Sequence, residues 1–423
     1  MLRNKLKLTE EQSRALELIE SGENVLLTGK AGTGKSTVIS AFRDKTDRNV
    51  AFVAPTGVAA VNIGGVTAHS LFQIKPGCFS DLEPIRSDRK RRLLQKLDVV
   101  VLDEVSMVRS DLLTAIDQRL REVARGKNHG RPFGGVQVVA VGDFHQLPPV
   151  VTSKNEQAYL EMRYGGPFAF QCQSWADADF KTLELQYVHR QSDSEFLKLL
   201  NAVRVGDASA LPKLNTRCTD NPSHKSDVIT LTPYRAAAAD KNAAELCKLD
   251  TKEFCYTGKI EGKFTKDLPV DEELYLRLGA RVMSCANVYD TDEQLLYCNG
   301  DLGEVIALTD DYVVVRFDSG VTHTVRRYEW HAYEYDLSGN SVTSKEVGQY
   351  RQIPLRLAWA VTIHKSQGCT FDNCILDLGR GCFAPGQLYT ALSRVRSLDG
   401  LTLTKPLRAS DVSVAEEVVN FMR

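Results

Sequence analysis

Short continuous apolar runs alternate along this chain with stretches whose apolar residues recur at helical spacing. The runs Asn24–Thr28, Val50–Val53, Val99–Leu102 and Val136–Val141 lack the in/out alternation of half-exposed strands. Continuous apolarity is what strands need when a parallel sheet is covered on both faces. Lys35–Arg43 and Asp111–Ala124 between them are helix-compatible, so the pattern predicts a doubly wound α/β domain. A second set follows at Thr182–Gln186, Val228–Thr232, Asn373–Leu378 and Leu401–Thr404. Helical stretches at Ser194–Val203 and Ala236–Leu246 make it a second α/β domain.

Two stretches break this rhythm. Phe72–Lys96 carries Pro76, Gly77 and Pro84, and its end from Arg86 to Lys96 holds six basic residues and one acidic, a local +5. From Phe254 to Tyr350, alternating segments such as Tyr312–Phe317 and Val321–Arg326 are punctuated by turns at Asn299-Gly300 and Ser338-Gly339-Asn340. That pattern predicts a small inserted all-β module.

The 423 residues suffice for several cores, and 43% hydrophobic with 25% charged residues is an ordinary globular composition. No apolar run approaches the roughly 18 residues that span a bilayer. The basic start, Met1–Lys7, has no apolar block behind it and does not read as a secretory signal. The ten cysteines form no Cys-x-x-Cys pair and suit buried thiols in a reducing compartment. With 53 Lys+Arg against 54 Asp+Glu, the net charge of −1 excludes attachment to nucleic acid through bulk positive charge. It leaves room for local basic clusters and polar phosphate contacts.

The strongest chemical signal is Gly29-Lys-Ala31-Gly32-Thr33-Gly34-Lys35-Ser36, followed by Thr37. It fits G-x-x-x-x-G-K-[ST] directly after one predicted strand and before a helix, the context a P-loop requires. Glycines let successive backbone N–H groups curl around a polyphosphate, Lys35 adds a charge at the β/γ-phosphates, and the Ser36 hydroxyl is a ligand for Mg²⁺. Asp103-Glu104 ends the apolar run before it, where α/β sheets place ligands. Asp103 suits Mg²⁺ coordination, and Glu104 suits orienting and deprotonating an attacking water. Thr9 and Gln12 fit a helix capping box, while the Gln12 amide is also a candidate adenine reader. Gln146, after a further buried run, is either a γ-phosphate sensor or a plain turn residue.

These blocks, in this order, resemble a superfamily 1 helicase, and most closely the Pif (petite integration frequency) family of subgroup B. Four more stretches carry the likeness: Val53–Phe72 (VAPTGVAAVNIGGVTAHSLF), Arg131–Val150 (RPFGGVQVVAVGDFHQLPPV), Arg351–Asp372 (RQIPLRLAWAVTIHKSQGCTFD) and Gln387–Arg396 (QLYTALSRVR). The resemblance implies an α/β fold of two RecA-like parallel-sheet domains with a small wedge insertion and an inserted SH3-like β-barrel. It implies a first domain at 1–71 with 97–178, the wedge at 72–96, a second domain at 179–253 with 351–423, and the barrel at 254–350. It makes Gln12 the adenine reader, Gln146 the γ-phosphate sensor, and Arg190 and Arg394 arginine fingers, and it adds Gly368 to the nucleotide site. For nucleic acid it points to Pro55, Thr56, Gly57, Thr67, His69, Phe72, His145, Thr362, His364, Lys365 and Ser366, with His69, Phe72 and Phe144 as base-stacking candidates.

The function so implied is an ATP- and Mg²⁺-dependent 5′-to-3′ DNA helicase. It would move on single-stranded DNA and DNA forks as a monomer, without a membrane, in the cytoplasm at the nucleoid. G-quadruplexes and DNA–RNA hybrids are further candidate substrates. The competing readings are a RecD-like helicase of recombination or conjugation, a DNA-binding P-loop ATPase that does not unwind, and an RNA helicase. Cys369, after Ser-Gln-Gly, departs from the small or aliphatic residue expected there.

Overall fold

In the computed structural model the described residues are 8–75, 82–188, 193–219, 228–264, 268–290, 295–338 and 341–423. They divide into two compact units: 1–144 with 148–189 and 332–347, and 145–147 with 190–331 and 348–423.

The first unit begins with α1 (Glu10–Glu20), whose Thr9 hydroxyl accepts from the Gln12 N–H while the Gln12 side chain accepts from the Thr9 N–H. This reciprocal cap satisfies two of the amides that a helix start leaves over. Its buried face, Ala15, Leu16 and Ile19, packs into a core with Leu27, Val38, Phe42, Val101 and Val139. The sheet runs β3 (Val66–Thr67), β2 (Val50–Ala54), β4 (Val99–Leu102), β5 (Gln137–Val141), β1 (Val25–Gly29), β6 (Lys181–Leu185), all parallel. β1, β4 and β5 are buried along their whole length, as their continuous apolarity predicts. α2 (Lys35–Lys45) and the helix Ser110–Val123 stand close to the expected helices.

One strand changes sheets. The run Thr182–Gln186 was expected to open the second domain, but β6 pairs with β1 from Val25↔Lys181 to Gly29↔Leu185. Asn24 anchors it, accepting from the Lys181 N–H at 2.8 Å through its carbonyl and donating to the Ala178 carbonyl at 2.8 Å. Ladder bonds join backbones whatever the side chains, so an edge strand's partner is not written in its own residues. The first unit accordingly runs on to 189 rather than ending at 178.

The insertion after β3 supplies a helix at Asp88–Gln95, which buries Leu93 and Leu94, exposes Arg89 and Arg92 and leaves Lys90 and Arg91 half-buried. Arg91 pairs with Glu122 of the helix Ser110–Val123 at 2.8 Å, and the same carboxylate accepts from the Ile85 N–H.

In the second unit a four-stranded parallel sheet runs Ala360–Thr362, Ile229–Thr232, Cys374–Leu376, Leu401–Leu403. Helices Ser194–Arg204 and Arg235–Cys247 match expectation. Strand Ala360–Thr362 had no signal of its own, and the Asn242 amide holds it by bonding both the Ala360 N–H and C=O at 2.8 Å. The all-β segment contains a five-stranded antiparallel sheet, Thr322–Arg326, Tyr312–Phe317, Leu302–Leu308, Arg281–Ser284, Leu355–Leu357. Its last strand lies beyond the expected boundary at 350, because Leu355 completes an apolar core with Val282, Val305, Val313 and Phe317. The Asn299-Gly300 turn forms with Gly300 at φ +99, whereas Gly339 and Asn340 lie outside the described residues. Among the described residues no helix is long and apolar enough to cross a membrane.

Candidate nucleotide and nucleic-acid sites

The loop between β1 and α2 depends on glycine geometry. Gly29, Gly32 and Gly34 have φ of +148, +82 and +84. A Cβ on Gly29 would stand 2.7 Å from the Leu185 carbonyl, and one on Gly34 would collide with the Gln12 amide. No side chain caps α2, so its first amides stay with the loop, and Thr33 closes the curl by donating from its hydroxyl to the Lys30 carbonyl at 3.0 Å. Lys35 donates from Nζ to the carbonyls of Gly29 at 2.7 Å and Lys30 at 3.1 Å, so its ammonium lies over the loop. Ala31 and Thr33 are buried, Thr37 is half-buried, and Ser36 is exposed.

Gln12 caps its helix and also reaches the phosphate loop. Its Oε1 caps α1, and its Nε2 donates to the Thr33 carbonyl at 3.4 Å, which ties the buried amide to the phosphate loop. Its neighbour Glu11 carried no distinct sequence signal. Its carboxylate accepts from the N–H groups of Gln186 and Tyr187 at 3.1 and 3.2 Å, joining α1 to the end of β6.

Asp103 continues β4, donating its N–H to the Val53 carbonyl at 2.9 Å. Burial raises its carboxyl above the ordinary range, and the Glu104 amide and the Lys35 charge oppose that rise. Asp103 is therefore within electrostatic reach of Lys35. Glu104 takes a left-handed backbone, φ 51 and ψ 46, a conformation that costs a non-glycine residue about 1–3 kcal/mol. Behind this turn Gly142 lets β5 approach, since a Cβ there would lie 3.0 Å from the Val105 nitrogen. The Ser36 hydroxyl and the Asp103 carboxylate are hard oxygen donors of the type Mg²⁺ takes, so the donor set fits that ion.

Among the nucleic-acid candidates of the first unit, Pro55, Thr56, Thr67 and His69 are partly exposed and Gly57 is buried. The Thr56 hydroxyl accepts from the Ala59 N–H and that of Thr67 from the Ser70 N–H, so each caps a short helix. Burial, aided by the Arg109 charge, lowers the His69 pKa. Arg109 itself carried no sequence signal. It pairs with the buried Asp111 at 2.5 Å and with Glu156, pinning the start of the helix Ser110–Val123.

Phe72 was expected to stack on bases, but its ring is fully buried. Phe144 is likewise enclosed, with ring centroids 5.1 Å from Phe170 and 5.8 Å from Trp175. His145 is buried as well. The physical reason is common to all three: an aromatic beside a strand end gains more from core packing than from water, and sequence position does not say which side it faces.

In the second unit Gln146 is half-buried. Gly386 packs so closely on the Gln146 backbone that no Cβ fits there. Thr362, at the end of its strand, is buried and accepts from the Lys365 N–H, and the buried Ser366 hydroxyl donates to the Ile363 carbonyl at 2.8 Å. Those hydroxyls shape the turn that displays His364 and Lys365. Burial lowers both pKa values; Arg235 adds to the effect on His364, and Arg356 and Arg235 to that on Lys365. Gly368 sits at φ +81 with open space around it. Cys369 is buried in the core of this unit, packed where a small apolar residue was expected. Arg394 is buried and donates to the Thr390 carbonyl at 3.0 Å and the Ser393 hydroxyl at 2.8 Å. Arg190 lies outside the described residues.

The sequence model of the PIF1-like helicase family matches residues 7–213. The ATP-dependent DNA helicase Pif1 of Bdellovibrio bacteriovorus is 35% identical over 419 positions, which cover 95% of this chain and 88% of that one. The chain belongs to the PIF1-like helicase family. The crystal structure of Bacteroides sp Pif1 in complex with ADP-AlF4 is 39% identical and superposes with a TM-score of 0.91, covering 99% of this chain and 97% of that one. Bacteroides Pif1 bound to ssDNA gives 0.70 at the same identity and coverage. The likeness spans both parallel sheets and the all-β segment, and so extends well beyond the phosphate loop.

Proposed function

We propose that the chain is an ATP-dependent DNA helicase that translocates 5′-to-3′ on single-stranded DNA and opens duplexes. The observation that carries this reading is the meeting of Gln12, Lys35 and Asp103 around the phosphate loop of the first unit. A base reader, a phosphate-facing cation and an acid together form an ATP-hydrolysing site. The relatives support the rest, being a DNA helicase by name and, in the Bacteroides protein, crystallised with ADP-AlF4 and with ssDNA.

Lys35 neutralises charge on the terminal phosphates, and the amides of α2 orient them. Ser36 and Asp103 would hold Mg²⁺, whose charge would offset that of the phosphates. Glu104 orients the attacking water and takes its proton, and its left-handed backbone fixes where the carboxylate emerges. Gln146 senses the γ-phosphate. Arg190 and Arg394 stabilise the charge of the transferring phosphoryl group. Thr56, Thr67, His69, His364 and Lys365 hold the strand, the insertion at 72–96 is the wedge, and the segment 254–350 contributes an SH3-like barrel.

Duplexes bearing a 5′ or a 3′ single-stranded tail test this, with Lys35→Ala as control. Opening of the 5′-tailed duplex alone, lost in the variant, is expected. Opening only of the 3′-tailed duplex overturns the polarity. Hydrolysis indifferent to single-stranded DNA overturns the helicase reading.

A further inference from the structure

Three neighbouring strands of the second sheet, Ala360–Thr362, Ile229–Thr232 and Cys374–Leu376, run parallel, so their carboxyl ends share one edge. The first is followed by His364 and Lys365 and the second by Tyr234 and Arg235. After the third comes the turn Gly379-Arg380-Gly381, which leads to Phe383.

On this edge a large apolar ring stands in water. Phe383, on the loop 377–386, is 60% exposed. Its ring meets that of Tyr234 with centroids 5.6 Å apart at 45°. Tyr234 is fixed in turn, donating its hydroxyl to the Gly381 carbonyl at 3.0 Å, and the Arg380 guanidinium lies 5.4 Å over its ring. Positive φ at Gly379 (+57) and Gly381 (+113) brings the loop back over the tyrosine. Arg235, one residue on, is exposed and close enough for its charge to act on His364 and Lys365. Two acids border the loop and both are engaged: Asp377 by the Gly379 N–H and the Thr404 hydroxyl, and Asp411 by the N–H groups of Cys382 and Arg408.

We propose that Phe383, braced by Tyr234 and flanked by Arg380, is a stacking platform for a base of single-stranded nucleic acid. The reading rests on the helicase function proposed above and adds residues that lie outside the sequence motifs. An exposed ring held rigidly beside guanidinium groups suits a nucleotide: the base covers the ring while the cations meet its phosphates.

The test uses the full chain with fluorescein-labelled oligo(dT) and an abasic oligonucleotide of equal length. Phe383→Ala is expected to weaken oligo(dT) binding by roughly 10-fold, the usual effect of losing one base–aromatic stack. Abasic DNA should bind it as it binds the parent, and Phe383→Trp should restore the difference between the two DNAs. Arg380→Ala should lower the salt dependence by about 0.7 log units, the value of one phosphate contact on a single strand. Unchanged oligo(dT) affinity in Phe383→Ala, or an equal loss on abasic DNA, overturns the platform while the parent still binds DNA. Weakened binding of a fluorescent ATP analogue without DNA would overturn it too, by assigning the ring to the nucleotide. Failure of the parent chain to bind oligo(dT) would overturn the helicase reading itself.

Discussion

Phe72 separates a stacking role from a packing role by a wide energetic margin. Its side chain is fully buried, and removing all but the Cβ forfeits the transfer free energy of the ring and leaves a cavity behind. For a site of this kind Phe→Ala costs about 3–5 kcal/mol. The backbone bonds around it survive the change, since its N–H donates to the Ala68 carbonyl at 3.1 Å and its carbonyl accepts from Arg119 Nε at 3.1 Å. The substitution therefore isolates the ring. In a unit of about 200 residues each kcal/mol moves Tm by roughly 2–4 °C, so a drop on the order of 6–20 °C is expected for the first unit. Phe72→Leu, which keeps most of the volume, should lose less than half of that. A base-stacking Phe72 predicts the reverse pattern: near-parental stability, with oligo(dT) affinity reduced by the 1–3 kcal/mol typical of a lost stack. Urea titrations followed by far-UV circular dichroism give the first quantity. Fluorescence anisotropy on labelled oligo(dT) at low temperature, where every variant is folded, gives the second. Phe72→Ala that stays within about 1 kcal/mol of the parent while losing tenfold in DNA affinity would refute the burial argument.

Two further outcomes follow from geometry and burial. Gly34→Ala forces a left-handed backbone at a cost of about 1–2 kcal/mol and drives the Gln12 amide from the Thr33 carbonyl. Competition binding should then show weaker preference for ATP over GTP, and an undiminished preference would remove Gln12 from adenine reading. His69 and His364 are both held below the ordinary histidine value of 6.5, chiefly by burial. The unfolded chain therefore binds more protons in the window from about 6.5 down to the lowered native pKa values. Stability is fully present above that window and falls as pH drops through it. Urea midpoints at pH 7.5 and 5.5 should differ more in the parent than in His69→Gln or His364→Gln, and equal differences would show that neither histidine carries the effect.

Much of the fold was legible because buried parallel strands advertise themselves. β1, β4 and β5 of the first sheet are apolar at nearly every position since both faces are covered, and a local run suffices to find them. The phosphate loop was legible for a different reason. Gly29, Gly32 and Gly34 adopt backbone angles that other residues pay for, so the chemistry is recorded in residue identity at fixed spacing. The same holds for the Thr9–Gln12 cap.

Where the sequence stopped short, the deciding interactions were non-local or backbone-borne. The Lys181–Leu185 strand joined the first sheet because Asn24 and β1 offered its backbone a ladder, and nothing in its own residues names that partner. Leu355–Leu357 completed the antiparallel sheet because a distant core lacked one apolar edge. Glu104 is an acid in sequence, and only the folded turn shows that it reaches its place through a left-handed backbone. Phe72 and Phe383 are both phenylalanines near strand ends, alike to any periodicity argument. Tertiary structure put one at 0% exposure and the other at 60%. Residue identity thus determined which groups could do chemistry, namely Lys35, Asp103, Glu104 and the glycines around them. The tertiary fold alone decided which side chains water can reach, because burial depends on what segments far along the chain bring to each face.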